Sequence, residues 1–151
     1  MHYVTEIIIN KPIEEVTKKM ASIENMKHWQ EGLMSTEHIS GIPGVIGAKM
    51  RLNYSFGKRK MEIIKTIIKA NFPIEFHATY TTKGVRNIQG NYFESTKDGF
   101  TKWTCNNNYE PTSFAMSTML FFMPKTFKKQ TKTYMKNFKK FIENGTSIFN
   151  A

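Results

Sequence analysis

Four amide side chains are the residues of this sequence whose types and spacing are best suited to recognising a ligand. Asn87, Gln89 and Asn91 alternate along one predicted strand, and Asn107 lies on the next strand. If both strands turn these residues inward, the amides face an otherwise apolar interior. Buried amides without partners cost on the order of 1–3 kcal/mol each, so they need a ligand, ordered water or one another. The pattern predicts a polar recognition patch inside an apolar pocket.

The direction in which these amides point depends on the register of their strand. Ile88 and Tyr92 occupy the other face of the strand that carries Asn87, Gln89 and Asn91. A single β-bulge would turn the three amides to solvent and bring Ile88 and Tyr92 inside. The sequence leaves both interpretations open.

Groups that commonly carry catalysis form no recognisable site in the sequence. Four histidines lie far apart and share no metal-ligand spacing: His2, His28, His38 and His77. His77 is expected on the outer face of its strand. Cys105 alternates with Trp103 and should point inward, where a thiol without a basic neighbour is usually inert. Nucleophile-elbow, phosphate-loop and paired-cysteine motifs are absent from the sequence. We therefore predict no catalytic residue, no metal and no cofactor.

Strands and short helices must position the amides. Alternating apolar residues predict a first strand at residues 2–10 and six more strands between residues 35 and 110, separated by turns. Pro12 suits the first position of a helix that follows the first strand. Ser22 is a plausible N-cap for a second short helix, with Met26, Trp29 and Leu33 turned inward.

Residues 113–143 are predicted to form a long helix with two opposed faces. Lysines recur on one stripe: Lys125, Lys128, Lys129, Lys132, Lys136, Lys139 and Lys140. The opposite side carries Phe127, Thr131, Tyr134, Phe138, Phe141 and Ile142. Pro124 should bend or split the helix, and Gly145 should end it. Such a helix must bury its aromatic face, and laying it across a curved sheet encloses a space.

The predicted lining of that space is aromatic and methionine-rich, a composition also typical of an ordinary core. It comprises Met50, Leu52, Tyr54, Met61, Phe76, Tyr80, Trp103, Phe114, Phe121, Phe127, Tyr134 and Phe138. From the lining and the amide patch we select the ligand-binding candidates Met50, Leu52, Tyr54, Phe76, Tyr80, Asn87, Asn91, Trp103, Asn107, Tyr109, Phe121, Phe127 and Tyr134. Met116, Met119 and Met123, beside Phe121, predict an adaptable gate at the pocket mouth.

Length and charge limit the classes of function. A chain of 151 residues suits one domain over residues 1–151. The net charge of +10 favours an anionic partner or a well-solvated surface. Sequence-specific binding to nucleic acid is not expected, because the basic residues include only three arginines, Arg51, Arg59 and Arg86. We also expect no transmembrane segment, since no apolar run reaches 18 residues.

Two features favour a cytoplasmic location. The first residues, beginning Met1, His2 and Tyr3, lack the basic start and apolar stretch of a signal peptide. The chain has a single cysteine, Cys105, so it forms no internal disulfide.

Several local sequences resemble the START/polyketide-cyclase-like (SRPBCC) superfamily, which includes birch-pollen-allergen-like proteins and lipid-transfer START domains. They are the segment 11–16 that opens the first helix, Trp29, the glycine-rich connection 41–47, and the Trp103 strand that runs into residues 110–113. The resemblance covers nearly the whole chain. It implies an α+β helix-grip fold, in which about seven antiparallel strands wrap around the C-terminal helix, with two short helices after the first strand. It also implies a cavity between sheet and helix.

The resemblance favours binding over catalysis. We predict a soluble binding protein for a small hydrophobic or amphipathic ligand held in that cavity. One alternative is a polyketide-cyclase- or aromatase-like enzyme, with Asn91, Asn107, Tyr80 and Tyr109 as donors to a carbonyl. A second alternative is a lipid carrier that docks on anionic membranes through the basic C-terminal helix.

Overall fold

An open antiparallel sheet curves around one long helix. The computed structural model describes residues 1–149, and the last two residues of the predicted domain lie outside that range. The strands are β1 (His2–Ile9), β2 (Leu33–Ser40), β3 (Lys49–Phe56), β4 (Arg59–Asn71), β5 (Glu75–Thr82), β6 (Val85–Ser95) and β7 (Thr101–Pro111). The helices are α1 (Ile13–Ala21), a 3₁₀ helix (Ile23–His28), α2 (Phe114–Phe122) and α3 (Pro124–Asn144).

The first and last strands of the chain are neighbours in the sheet. Its spatial order is β1-β7-β6-β5-β4-β3-β2, so consecutive hairpins run from β2 to β7 and β1 then pairs with β7. All pairs are antiparallel. The predicted α+β order of one strand, two short helices, six strands and a late long helix is confirmed.

The aromatic face of α3 packs against the core of the protein. Phe138 is fully buried, and its ring makes edge contacts with Trp29 and Trp103 at centroid distances of 5.2 and 5.5 Å. Met135 and Thr131, about one turn and two turns before it, are also buried. The apolar stripe therefore packs on the inner face of the sheet, and the lysines on the other side remain mostly exposed.

The predicted break and ends of the C-terminal helical segment are confirmed. Pro124 is the first residue of α3, so the segment divides into α2 and α3. The Ser113 side chain accepts a hydrogen bond from the Met116 backbone N–H and caps α2. Gly145 ends α3 in the left-handed conformation, with a φ of 72°.

Four local predictions differ from the structure. Pro12 is the N-cap residue of α1 instead of its first helical residue. Leu33 begins β2 instead of lying in the second short helix, although its side chain is buried as expected. The 3₁₀ helix has no side-chain cap from Ser22. Lys139 does not extend the free basic face, because its Nζ donates to the Ile8 carbonyl at 2.7 Å and to Glu143 at 2.6 Å. Within residues 1–149, no helix combines the length and apolar character that crossing a bilayer requires.

Candidate ligand-binding cavity

A cavity of about 250 Å³ lies between the inner face of the sheet and α3. We call it the central cavity. This space is several times that of a water molecule in the liquid, about 30 Å³. Predicted site residues that line it are Tyr54, Phe76, Tyr80, Asn87, Asn91, Trp103, Tyr109, Phe127 and Tyr134. The strand alternation and the α3 stripe thus bring these residues together around one space.

Four predicted site residues lie elsewhere. Leu52 and Asn107 are fully buried and do not border the central cavity, and Met50 borders a smaller neighbouring space. Phe121 was expected to face the cavity, but its side chain is 78% exposed. Phe114, also placed in the lining, is 88% exposed. The physical reason is the break at Pro124, which separates α2 from the stripe that α3 turns inward.

A side pocket of about 70 Å³ adjoins the central cavity. The two spaces share lining residues from α1, the 3₁₀ helix, β4 and β5: Met20, Met26, Lys65 and Phe76. The side pocket extends toward the glycine-containing connection between β2 and β3, where Pro43 and Gly44 border it.

The four amides face inward and satisfy most of their hydrogen bonds among themselves. Trp103 Nε1 donates to Asn91 Oδ1 at 2.9 Å, and Asn91 Nδ2 donates to Gln89 Oε1 at 3.2 Å. Asn107 Oδ1 accepts from Gln89 Nε2 at 3.0 Å and from Asn87 Nδ2 at 2.9 Å. The amides point inward because β6 pairs with β7 without the β-bulge that would have turned them to solvent. We call this chain of bonds the amide network.

Some polar atoms at the cavity are left without partners. The Asn87 Oδ1, Gln130 Nε2 and Trp29 Nε1 atoms are buried and have no hydrogen-bond partner among residues 1–149. All three residues line the central cavity. Buried polar atoms are normally paired, so these three atoms are exceptions in the packing around the cavity.

Lys65 lines the central cavity and was missed by the sequence analysis. Its side chain lies on the inner face of β4, between Met61 and Ile63 on one side and Ile67 on the other. Burial lowers the pKa of the Lys65 ammonium to about 8. A lysine within an otherwise apolar alternation was the signal that could have revealed it.

The other titratable groups at the cavity stay neutral near pH 7. Burial raises the pKa of the Cys105 thiol to about 12 and that of the Tyr134 phenol to about 12. Burial also raises the pKa values of Tyr80 and Tyr109 above the ordinary phenol value. None of the described residues lining the central cavity is Asp, Glu or His. The lining therefore offers hydrogen-bond donors and one amine, but no carboxylate or imidazole for proton transfer.

His77 lies on the outer face of β5, as predicted. Its ring is within 3.0 Å of Glu75 and makes an edge contact with Tyr92. Across residues 1–149, no three His, Cys, Asp or Glu side chains are close enough together to hold a metal ion.

Solved structures share this architecture, although neither a family model nor a curated protein matches the chain. The chain is similar to Ara h 8.0201, with a TM-score of 0.79 and 11% identity over 94% of this chain and 97% of that one. It is similar to TTHA0849 from Thermus thermophilus, with a TM-score of 0.77 and 14% identity over 97% and 100% of the two chains. A conserved protein from Geobacillus kaustophilus gives a TM-score of 0.80 and 16% identity over 94% and 95%.

Fold and cavity together define the class of this protein. It has a helix-grip fold, the architecture that its resemblance to START/polyketide-cyclase-like proteins implied, and that expectation is confirmed. At these identities the likeness concerns the fold, so function rests on the residues of the site.

Proposed function

We propose that the protein binds a small hydrophobic or amphipathic molecule in the central cavity, as a soluble carrier or receptor in the cytoplasm. The observation that carries this proposal is a mainly apolar cavity of about 250 Å³ whose wall also carries polar side chains, among them Asn87, Gln89 and Gln130. Ligand sites commonly combine an apolar lining with a few placed polar groups. The occupant would bury its apolar body against the rings and place its polar group beside those side chains.

Binding is favoured over the cyclase-like alternative by the state of the proposed donors. Asn91 and Asn107 already donate their amide N–H groups to Gln89 and Cys105. Tyr80 and Tyr109 border the cavity, but burial raises their pKa values, so neither serves as a base near neutral pH. Cyclisation by proton abstraction needs a base within reach of the substrate, and the described lining supplies neither a carboxylate nor an imidazole. The one amine there, Lys65, has a pKa of about 8 and is mainly protonated at neutral pH.

Filling the cavity tests the proposal. Ile63 lines the central cavity, whereas Ile64 lies on the opposite face of the same strand. We expect Ile63→Trp to weaken binding of the neutral fluorescent probe N-phenyl-1-naphthylamine by at least about tenfold, equivalent to about 1.4 kcal/mol. The reason is that an indole occupies space that the probe needs. Fluorescence titration gives the dissociation constant.

The matched control is Ile64→Trp, which makes the same change in size outside the cavity. We expect its dissociation constant to stay within about twofold of wild type. Equal affinities for both variants, or no saturable binding by the wild type, would contradict the proposed site. Thermal unfolding of each variant establishes that it is folded at the assay temperature.

A second candidate function, docking on anionic membranes, is favoured by the surface of α2. Phe114, Phe121 and Phe122 are 88%, 78% and 73% exposed. The exposed lysines Lys125 and Lys128 follow within the first two turns of α3. Exposed aromatic residues beside basic ones are typical of segments that enter the headgroup region of a membrane. Each lysine near an anionic surface contributes about 1 kcal/mol.

Co-sedimentation with vesicles measures this docking. We expect binding to phosphatidylcholine vesicles that contain phosphatidylserine, and little binding to phosphatidylcholine alone, because the attraction is electrostatic. The double variant F121S/F122S should reduce the bound fraction several-fold while leaving probe affinity unchanged, since neither side chain lines the central cavity. Background sedimentation of the wild type at low salt would end this candidate.

A further inference from the structure

Lys65 places a cation where the central cavity meets the side pocket. Its Nζ lies 5.0 Å from the centre of the Phe76 ring and 5.9 Å from that of Tyr80. It forms no ion pair within residues 1–149. Two ring faces stabilise an ammonium only partly, by about 0.5–2 kcal/mol each. The charge therefore lacks the partner that a buried cation ordinarily has.

No acidic residue compensates this charge from the cavity walls. None of the described residues bordering the central cavity or the side pocket is Asp or Glu. Burial nevertheless leaves the pKa of Lys65 at about 8, so the group is still mainly protonated at neutral pH. An unneutralised cation facing a mainly apolar space is a site for an anion.

The other polar atoms near the cavity that lack a hydrogen-bond partner are mostly donors. Among the described residues that line the central cavity, the buried side-chain atoms without a partner are two N–H donors, Gln130 Nε2 and Trp29 Nε1, and one acceptor, Asn87 Oδ1. Amide and indole N–H groups strengthen the binding of oxygen-bearing ligands because each gains a hydrogen bond it otherwise lacks. The polar side of the cavity is thus suited to acceptor oxygens.

We propose that the ligand is an anionic amphiphile whose oxyanion, a carboxylate or a chemically similar group, pairs with Lys65 while its apolar body fills the central cavity. This inference rests on the proposed function and narrows it from apolar molecules in general to acids. The ion pair forms in a desolvated place, where it discriminates strongly against neutral molecules of the same shape.

A pair of probes with one aromatic skeleton separates the two proposals. 8-Anilinonaphthalene-1-sulfonate carries a sulfonate that N-phenyl-1-naphthylamine lacks. We expect Lys65→Met to weaken binding of the sulfonate at least about tenfold and to change binding of the neutral probe by less than about twofold. Lys65→Arg retains the charge and should retain most of the preference. Lys60→Met, an exposed lysine on the same strand, is the control and should change neither affinity.

The outcomes are distinct. If neither probe binds the wild type saturably, the proposed function and the Lys65 inference both fail. If both bind and Lys65→Met leaves the sulfonate affinity unchanged, the cavity stands and the anion inference is overturned. If Lys65→Met weakens binding of both probes equally, the anion inference is also overturned, because such a result indicates a structural effect. Weaker binding of the sulfonate probe alone supports the anion inference.

The pH dependence gives a second readout. A sulfonate stays ionised, so its affinity for the wild type should fall as pH rises from about 7 to about 9.5, because Lys65 loses its proton in that range. Other titratable groups that border the two spaces are Tyr54, Tyr80, Cys105, Tyr109, Tyr134, His38 and Lys49. The phenols and the thiol have raised pKa values and stay neutral there. Lys65→Met should remove most of the decline, whereas a decline unchanged by Lys65→Met would contradict the assignment.

Discussion

Replacing Phe138 with alanine is expected to lower the free energy of unfolding by about 3–5 kcal/mol. The ring is fully buried at the centre of α3 and touches both tryptophans of the core. Its removal takes away buried apolar area and leaves a hole that Trp29 and Trp103 cannot close without losing their own contacts. Urea unfolding monitored by tryptophan fluorescence measures the change, since both indoles report on this part of the core.

Phe122→Ala provides the matched control. The residue is of the same type but lies on α2 with 73% of its surface exposed. Its replacement should change the free energy of unfolding by no more than about 0.5 kcal/mol. If the two variants are equally stable, α3 does not close the sheet as described. If Phe138→Ala opens the cavity to solvent, it should also weaken N-phenyl-1-naphthylamine binding, which the control should not.

The fold could be predicted largely from local patterns. Alternation in segments such as Tyr3, Thr5, Ile7 and Ile9 determines which face of a strand is buried, because side chains on a strand alternate strictly. The proline at position 124 and the glycine at position 145 act through backbone geometry alone, so their effects did not depend on tertiary context. These are properties that a single sequence carries completely.

The site could be predicted only in part, because its geometry depends on packing between distant segments. Strand alternation predicts that the rings of Tyr80 and Trp103 point inward, and both line the cavity as expected. Asn107 shares their inward face but is fully buried as an acceptor for neighbouring amides, and that role depends on the pairing of β6 with β7. Phe121 was assigned from composition, whereas its exposure depends on the angle at which the chain leaves Pro124.

Lys65 shows a different limit of prediction from sequence. Because charged residues are mostly exposed, a lysine on a strand is normally assigned to the solvated face. Its neighbours Ile63 and Ile67 share its face, and the alternation alone would have turned all three inward. Amides, thiols and histidines are the more usual carriers of recognition and catalysis, and Lys65 was therefore not among the predicted site residues. The size of the cavity could not be predicted either, since it depends on how closely the facing side chains of α3 and β4 approach.

Replacing Asn107 with leucine is expected to lower the free energy of unfolding by about 2–6 kcal/mol. Its Oδ1 is the acceptor for both Asn87 Nδ2 and Gln89 Nε2. Leucine has nearly the same shape and is apolar, so packing is largely retained while two amide donors lose their acceptor. Each buried donor without a partner costs about 1–3 kcal/mol. Chemical unfolding of the variant gives the sum.

Asn108→Leu is the control, because the neighbouring residue on β7 is exposed on the other face of the sheet. We expect it to change stability by no more than about 0.5 kcal/mol. A second substitution, Asn87→Leu, in the Asn107→Leu background removes one stranded donor and should recover part of the loss. An additive loss instead would show that the two side chains are not coupled. Recovery would mean that the amide network serves mainly to satisfy its own members, which leaves ligand recognition to polar groups outside it, above all the Lys65 ammonium.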